Sequence, residues 1–295
     1  MSASDTSGEQ VSHGRVEGGP ARRSAGGPTL AVVGAGLRLP DHLTVEALRI
    51  LEQSDRIFTV LSVYETLALP AAIRDKCEYL EDLFDPERPR HEAYYEMARR
   101  TLDACAPGIG VSHLARGNPG VLNTVTELLV KGGAAMGIGV RVVPGVSAID
   151  TVLIDMGYDP RRGLQLVEAT AAVQEDIKLD PRMPCMVLQP HTFGTDLPIK
   201  STTSHDLELG RLGDFLAQFW DGDHSLAAVS SYEVGAEPRV VWRTVGSLGT
   251  LTSEDLWATS LFVPGARRSC ASDLMIERLA VDLAEERSLA GSIIT

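Results

Sequence analysis

Cysteine is scarce and scattered. Cys77, Cys105, Cys185 and Cys270 form no CxxC pair, so neither a disulfide framework nor a zinc site is expected. Reduced thiols in a cytoplasmic protein are the economical reading. No stretch reaches the roughly 18 apolar residues of a membrane span, and the N-terminus has no apolar signal core, so neither a membrane protein nor an exported one is expected. Basic runs are missing too. With a net charge of −13 the chain is a poor partner for a nucleic-acid backbone or an anionic bilayer, although a local basic pocket stays open. There is no internal repeat, and no low-complexity segment beyond the N-terminus.

What is present is ordinary globular material: 44% hydrophobic and 23% charged residues in 295, enough for one large or two medium domains. Residues 1–28 are rich in Gly, Ser and charge and are expected to be a disordered tail. From Leu30 the pattern reads as alternating strand and helix. LAVV (30–33) is a short buried strand, Thr44 caps a helix, and Ile57 to Val63 is a second strand. A helix follows from the Asp85–Pro89 region to about Cys105, and the run Ile109–Leu114 is a strand. The helix after Val121 is closed by Gly132-Gly133, Val140–Val143 is a strand, and Ser147 with Asp150 starts a further helix. Leu164–Glu168 completes the series as a last parallel strand. The boundaries expected are an N-terminal α/β domain over 29–170, a linker over 171–184 and a C-terminal α/β domain over 185–266. Residues 267–295 form a C-terminal helix and tail, with Met275, Leu279 and Leu283 on one helical face. Inside the second domain the pattern gives strands at 185–189, 225–232, 239–246 and 258–263, a helix over 204–220 and a short helix capped near Thr252. The fold class is therefore α/β, with a mostly parallel N-terminal sheet and a mixed α+β second domain.

Four places carry candidate chemistry. The stretch ARGNPGVLN (115–123) stops a strand at a Gly-x-Pro-Gly turn and opens into a helix, where open α/β sheets place small ligands; an ordinary connecting loop has the same pattern. Gly34-Ala35-Gly36 resembles the start of a dinucleotide fingerprint, but its third glycine is missing. Arg90, Tyr94 and Met97 share one helix face. There they could present a fixed cation beside a phenol, or be a surface arginine lying along a half-buried tyrosine. The helix start at Ser147 is a second possible contact for an anionic group.

Six motifs occur in order: VVGAGL, RHEAYYEM, GNPGV, PGVSAIDTVLIDMGYDP, LVEAT and SLFVPGA. Together, over about residues 30–265, they resemble the tetrapyrrole (corrin/porphyrin) methylase superfamily, the class III S-adenosylmethionine methyltransferases. The Arg-x-x-x-Tyr-x-x-Met helix and the PGVSAID segment resemble its borosin branch, which α-N-methylates backbone amides of ribosomally made peptides. The resemblance implies two α/β domains with S-adenosyl-L-methionine in the cleft between them, usually in a homodimer. Position by position, it implies cofactor contacts at Arg116, Asn118, Val121 and Leu122, at Ser147 and Ala148, at Leu188 and Gln189, at Ala228 and Val229, and at Thr259 and Ser260. It implies catalytic roles for Arg90 and Tyr94, no metal, and a substrate-side floor made by the GAG turn.

The departures are specific. The branch has a second tyrosine six residues before the arginine, where this chain has Phe84. Its GHPG loop is GNPG here, the position before that loop's arginine is the small Ala115, and its SFEAS strand is LVEAT. The chain ends at SLAGSIIT soon after one helix, so a peptide substrate in trans is expected rather than one fused in cis. Three functions follow as expectations: methylation of a separate precursor peptide, methylation of a tetrapyrrole or other small molecule, or a non-catalytic subunit that binds S-adenosylmethionine or peptide.

Overall fold

The computed structural model describes residues 27–198, 208–230, 237–252 and 255–265, together with positions 275, 278 and 279. The expected N-terminal tail and most of the C-terminal helix lie outside the described residues; of that helix, Met275 and Leu279 are described and exposed.

The first sheet holds β1 (Thr29–Gly34), β2 (Arg56–Thr59), β3 (Cys77–Tyr79), β4 (Gly110–Ala115) and β5 (Gly139–Val143) in the order β3-β2-β4-β1-β5. All its pairings are parallel. Alternation along β1 sends Leu30 and Val32 to one face and Val33 to the other. On the first face they meet Met97, Leu102, Val125 and Leu129 of α4 (Arg90–Asp103) and α5 (Thr124–Ala135). On the second, Val33 and Leu114 meet Leu51 of α1 (Val45–Gln53) and Ile73 of α3 (Ala71–Arg74), with the single turn α2 (Val63–Thr66) between them in sequence. Helices on both faces make this a doubly wound sheet. The cap expected at Thr44 is formed: its hydroxyl accepts from the Ala47 N–H at 3.0 Å.

Gly132 and Gly133 do not close α5. A Cβ on Gly132 would lie 2.8 Å from Leu102 Cδ1 and one on Gly133 2.4 Å from Val140 Cγ2, so these glycines let the helix approach α4 and β5. The helix runs on to Ala135, and Gly137, at φ +71°, turns the chain. The second strand is also shorter than expected, ending at Thr59, whose hydroxyl takes the Leu61 N–H and breaks the extended run.

The second sheet holds β6 (Gln165–Glu168), β7 (Cys185–Leu188), β8 (Ser225–Ser230), β9 (Arg239–Thr244) and β10 (Ser260–Val263) in the order β6-β7-β10-β8-β9. Here the expectation for Leu164–Glu168 is corrected. The strand does not complete the first sheet but pairs in parallel with β7, from Gln165 opposite Cys185 to Glu168 opposite Leu188. Val167 thereby joins the core of the second sheet beside Val187. The remaining pairings are antiparallel. The segment expected as a plain linker contains α7 (Ala169–Gln174), capped by the Glu168 carboxylate, which accepts from the Ala171 N–H at 2.8 Å. The helix expected over 204–220 is α8 (Leu209–Leu216), and near Thr252 a 3₁₀ turn over Val245–Thr250 precedes the expected cap.

The helix α6 (Ala148–Asp155) joins the two sheets. Its Val152 is buried with Met186, Leu188, Ala227, Val229 and Phe262 of the second sheet. Among the described residues no helix is long and apolar enough to cross a membrane, and no His/Cys/Asp/Glu cluster could hold a metal ion.

Candidate functional site

The C-terminal ends of β1, β4 and β5 meet through bare backbone. A Cβ on Gly34 would sit 2.5 Å from the Gly145 nitrogen and 2.8 Å from the Gly117 oxygen; one on Gly145 would sit 2.5 Å from that same oxygen. No side chain fits, so glycine at both positions lets the GAG, GNPG and PG turns close on one another. Gly36 and Gly117 exchange backbone hydrogen bonds at 3.1 and 2.9 Å. Three widely separated motifs of the sequence are thus one junction.

From this junction the chain leads through the GNPG turn into α5. Asn118 turns on itself, its side-chain oxygen accepting the Gly120 N–H at 2.9 Å, and Asn123 caps α5 by accepting the Thr126 N–H. Leu122 between them is held at φ +45° and is 47% exposed, an unusual state for a large apolar side chain. Arg116 is held by Glu65, whose two oxygens it meets at 2.5 and 2.9 Å. Glu65 also completes a capping box with Ser62 at the start of α2. Ser147 and Asp150 form the capping box that the sequence predicts for α6, burying the Ser147 side chain at the helix start next to Ala148.

The second sheet supplies the face against which α6 packs. Leu188 and Val229 lie on the face that meets α6, in a cluster edged by Val121 of the GNPG loop. Ala228 is not brought to that face: its side chain packs into the core on the far side, because neighbours on a strand point oppositely. Gln189, directly after β7, is left-handed at φ +55°, and so is Ala258, at φ +51°, just before Thr259 and Ser260. Thr259 is buried and its hydroxyl donates to the Leu256 carbonyl; Ser260 pairs with Val229. Among the described residues Leu122, Gln189 and Ala258 are three of the four non-glycine positions at positive φ, the fourth being Asp176; strained backbone of this kind clusters at ligand sites.

The helix α4 carries Arg90 and Tyr94. Tyr94 packs edge-on against Phe84, ring centroids 6.0 Å apart. Burial raises its phenol pKa, and the nearby Arg90 guanidinium pulls the other way. The Arg90 N–H donates to the Asp196 carbonyl at 2.7 Å, fastening α4 to the loop beyond β7. Sequence reasoning missed the residue that this contact brings in. His191 lies in that loop, its ring edge-on to Trp257 at 5.9 Å, and burial first, then Arg90, pushes its imidazole down to about 4. Arg90 Nη1, His191 Nδ1 and Glu168 Oε1 are buried without a hydrogen-bond partner. Each such unmet group costs on the order of 1–3 kcal/mol. A groove of about 650 Å³ on the other side of α4, bordered by His91, Glu92 and Tyr95, includes neither Arg90 nor Tyr94.

A doubly wound parallel sheet followed by a second, mixed sheet, with α6 packed on the latter, defines an α/β protein. The family model for Tetrapyrrole (Corrin/Porphyrin) Methylases matches residues 29–229, and the chain belongs to that family. Among curated proteins, a methyltransferase/ribosomally synthesized type I borosin cyclic peptide precursor of Cerrena unicolor is 30% identical over 173 residues, covering 57% of this chain and 42% of that protein. A type II counterpart from Phlebiopsis gigantea is 29% identical over 163 residues, 55% of this chain and 29% of its own length. A further type I protein, of Coprinopsis marcescibilis, is 25% identical over 264 residues, 88% of this chain and 68% of that one. The chain thus spans well under half the length of several of the curated relatives it matches. Of solved structures, the methyltransferase CobJ superposes with a TM-score of 0.56 at 14% identity, covering 82% of this chain and 97% of that one. A Thermus thermophilus uroporphyrin-III C-methyl transferase complexed with S-adenyl homocysteine gives 0.52 at 17%, covering 80% and 97%. At these identities the likeness is one of fold.

Proposed function

We propose that the chain is an S-adenosyl-L-methionine-dependent methyltransferase that α-N-methylates backbone amides of a ribosomally made precursor peptide supplied in trans. The observation that carries this reading is the Arg90 guanidinium, buried at Nη1 with no partner, one helical turn from Tyr94 and fastened to the loop that follows β7. The cofactor supplies an electrophilic methyl group when bound. The residues present fit it. The glycine junction keeps side chains out of the cleft floor. Val121, Leu188 and Val229 offer an apolar wall, and in this reading Arg116, Asn118, Leu122, Ser147, Ala148, Gln189, Thr259 and Ser260 supply the remaining cofactor contacts. Ala228 contributes no side chain there.

An amide nitrogen is not a nucleophile at neutral pH, so the protein must withdraw its proton and hold the charge that moves to the carbonyl oxygen. In the resting site Tyr94 is a phenol, because burial disfavours the phenolate. Its ionised form takes the amide proton. Arg90 holds both that phenolate and the negative carbonyl oxygen, its Nη1 being a buried donor without a protein partner. The borosin names of the curated relatives, methyltransferase and cyclic peptide precursor together, support a peptide substrate. The active unit in this reading is a homodimer, measurable by light scattering.

A second reading, methyl transfer to a tetrapyrrole or another small molecule, is favoured by Phe84, which offers no proton at the position of the branch's second tyrosine. The deciding experiment is incubation with isotope-labelled cofactor and a separate precursor peptide, read by tandem mass spectrometry. Label on backbone nitrogen supports the first reading; label only on carbon of an added tetrapyrrole replaces it with the second.

A further inference from the structure

Two buried polar atoms stand unpartnered where α4 meets the loop beyond β7: Arg90 Nη1 and His191 Nδ1. They differ in kind. A guanidinium nitrogen only donates, whereas a neutral imidazole has one nitrogen that accepts. Burial and the Arg90 charge keep the imidazole neutral near pH 7. Both groups are fixed in place. The Arg90 backbone is hydrogen-bonded to Asp196, five residues past His191. His191 itself lies in a 3₁₀ turn, Pro190–Thr192, closed by the Thr192 N–H and hydroxyl on the Gln189 carbonyl at 3.0 and 3.1 Å, and its ring rests against Trp257. Buried polar atoms in folded proteins have partners, so an unmet donor and an unmet acceptor at one place are groups that a ligand's acceptor and donor would satisfy.

We propose that Arg90 and His191 together grip the backbone of one extended residue of the substrate: its carbonyl oxygen accepts from Arg90 Nη1, and its own N–H donates to His191 Nδ1. This rests on the peptide reading above. In extended backbone the N–H and C=O of one residue point to the same side, as they do toward a neighbouring strand. One wall bearing a donor and an acceptor therefore matches a single residue. A carboxylate side chain, which offers acceptors alone, would leave His191 unmet. The carbonyl on Arg90 belongs to the amide that reacts, so His191 reads the N–H one residue nearer the N-terminus. His191 is a positioning residue: it sets which nitrogen is presented, and a residue already methylated on its own nitrogen cannot occupy the grip.

The test uses two small probes with the wild-type protein and S-adenosylhomocysteine: acetyl-Val-Val-methylamide, and its ester analogue in which oxygen replaces the N–H of the second valine. The ester should bind wild type about fivefold more weakly, the loss of one hydrogen bond, and the diamide alone should shift the ¹⁵N signal of His191 Nδ1. In His191→Ala the two probes should bind alike, and in His191→Gln, whose amide oxygen restores an acceptor, the preference should return. Equal binding of both probes to wild type, or an undiminished ester penalty in His191→Ala, overturns the inference while leaving peptide methylation standing. Failure of the diamide to bind wild type at all, with methyl label going to no peptide, overturns the peptide reading itself.

Discussion

Phe84 meets Tyr94 edge to face, the ring centroids 6.0 Å apart and the planes at 87°. The Tyr94 phenol therefore has an apolar neighbour where a second hydroxyl would have given it a hydrogen bond, and burial pushes its pKa above the ordinary value. If Tyr94 is the base, its active form is the scarce phenolate. The rate of peptide methylation should then rise about tenfold per pH unit through the neutral range and level only above pH 10. A pH–rate profile checks this, and a flat profile between pH 7 and 9 would remove Tyr94 from the proton transfer.

Tyr94→Phe keeps the ring against Phe84 and deletes the hydroxyl. Turnover should fall by about 10²- to 10⁴-fold, the usual worth of a positioned acid–base group. Affinity for S-adenosylhomocysteine, measured by calorimetry, should stay within about twofold, since an unfilled ring position would not be created. Unchanged turnover would favour methylation of a substrate that needs no base.

Much of this arrangement is legible in the sequence, and the rest fails for physical reasons. Caps are local, so Thr44 and the Ser147–Asp150 box could be read and are formed. Pairing is not local: nothing in LVE says that its hydrogen bonds go to β7 and not to the first sheet. Gly132-Gly133 has the composition of a helix end, yet the glycines serve close approach to Leu102 and Val140, which no spacing rule contains. Family likeness names Ala228 and Val229 together, but strand alternation sends the Val229 side chain toward α6 and that of Ala228 into the opposite core. His191 sits in a loop without periodicity, and the Arg116–Glu65 pair joins residues 51 positions apart.

That pair makes its own prediction. Glu65 binds Arg116 through both oxygens while also receiving the Ser62 N–H and hydroxyl. Glu65→Ala removes a partly exposed ion pair and a helix cap at once, about 1–2 kcal/mol in all. The melting temperature should fall by several degrees. If Arg116 meets the cofactor as proposed, loss of its Glu65 contact should lower cofactor affinity about threefold to tenfold. Wild-type affinity in a destabilised variant would show that Arg116 is structural alone.

At Gly145 the expected effect is larger. An alanine methyl would lie 2.5 Å from the Gly117 oxygen and 2.9 Å from the Gly34 carbonyl carbon, both of them backbone. Overpacking of this kind costs about 1–3 kcal/mol where side chains can shift, and here the strand ends themselves must part. Gly145→Ala should lose at least about 3 kcal/mol in urea unfolding and bind cofactor poorly. Gly120→Ala, whose new methyl meets only the Asn118 side-chain oxygen at 3.3 Å, should cost far less. Equal costs at the two positions would contradict the junction.

His113 is buried on β4, its Nδ1 3.3 Å from the Thr101 hydroxyl, and burial pushes its pKa down to about 4. The unfolded chain binds this proton below about pH 6.5, while the folded chain refuses it until about pH 4. Between those values the unfolded state carries more protons, so stability falls as the pH is lowered through the window and stops falling below pH 4. The full shift is worth up to about 3 kcal/mol, and His191, depressed in the same way, adds a penalty of the same sign. Urea unfolding at pH 7.5, 5.5 and 4.5 should show this loss in wild type. His113→Gln lacks the proton site, so it should be less stable at pH 7.5 yet lose less on acidification. Parallel losses in the two proteins would place the acid sensitivity at other groups.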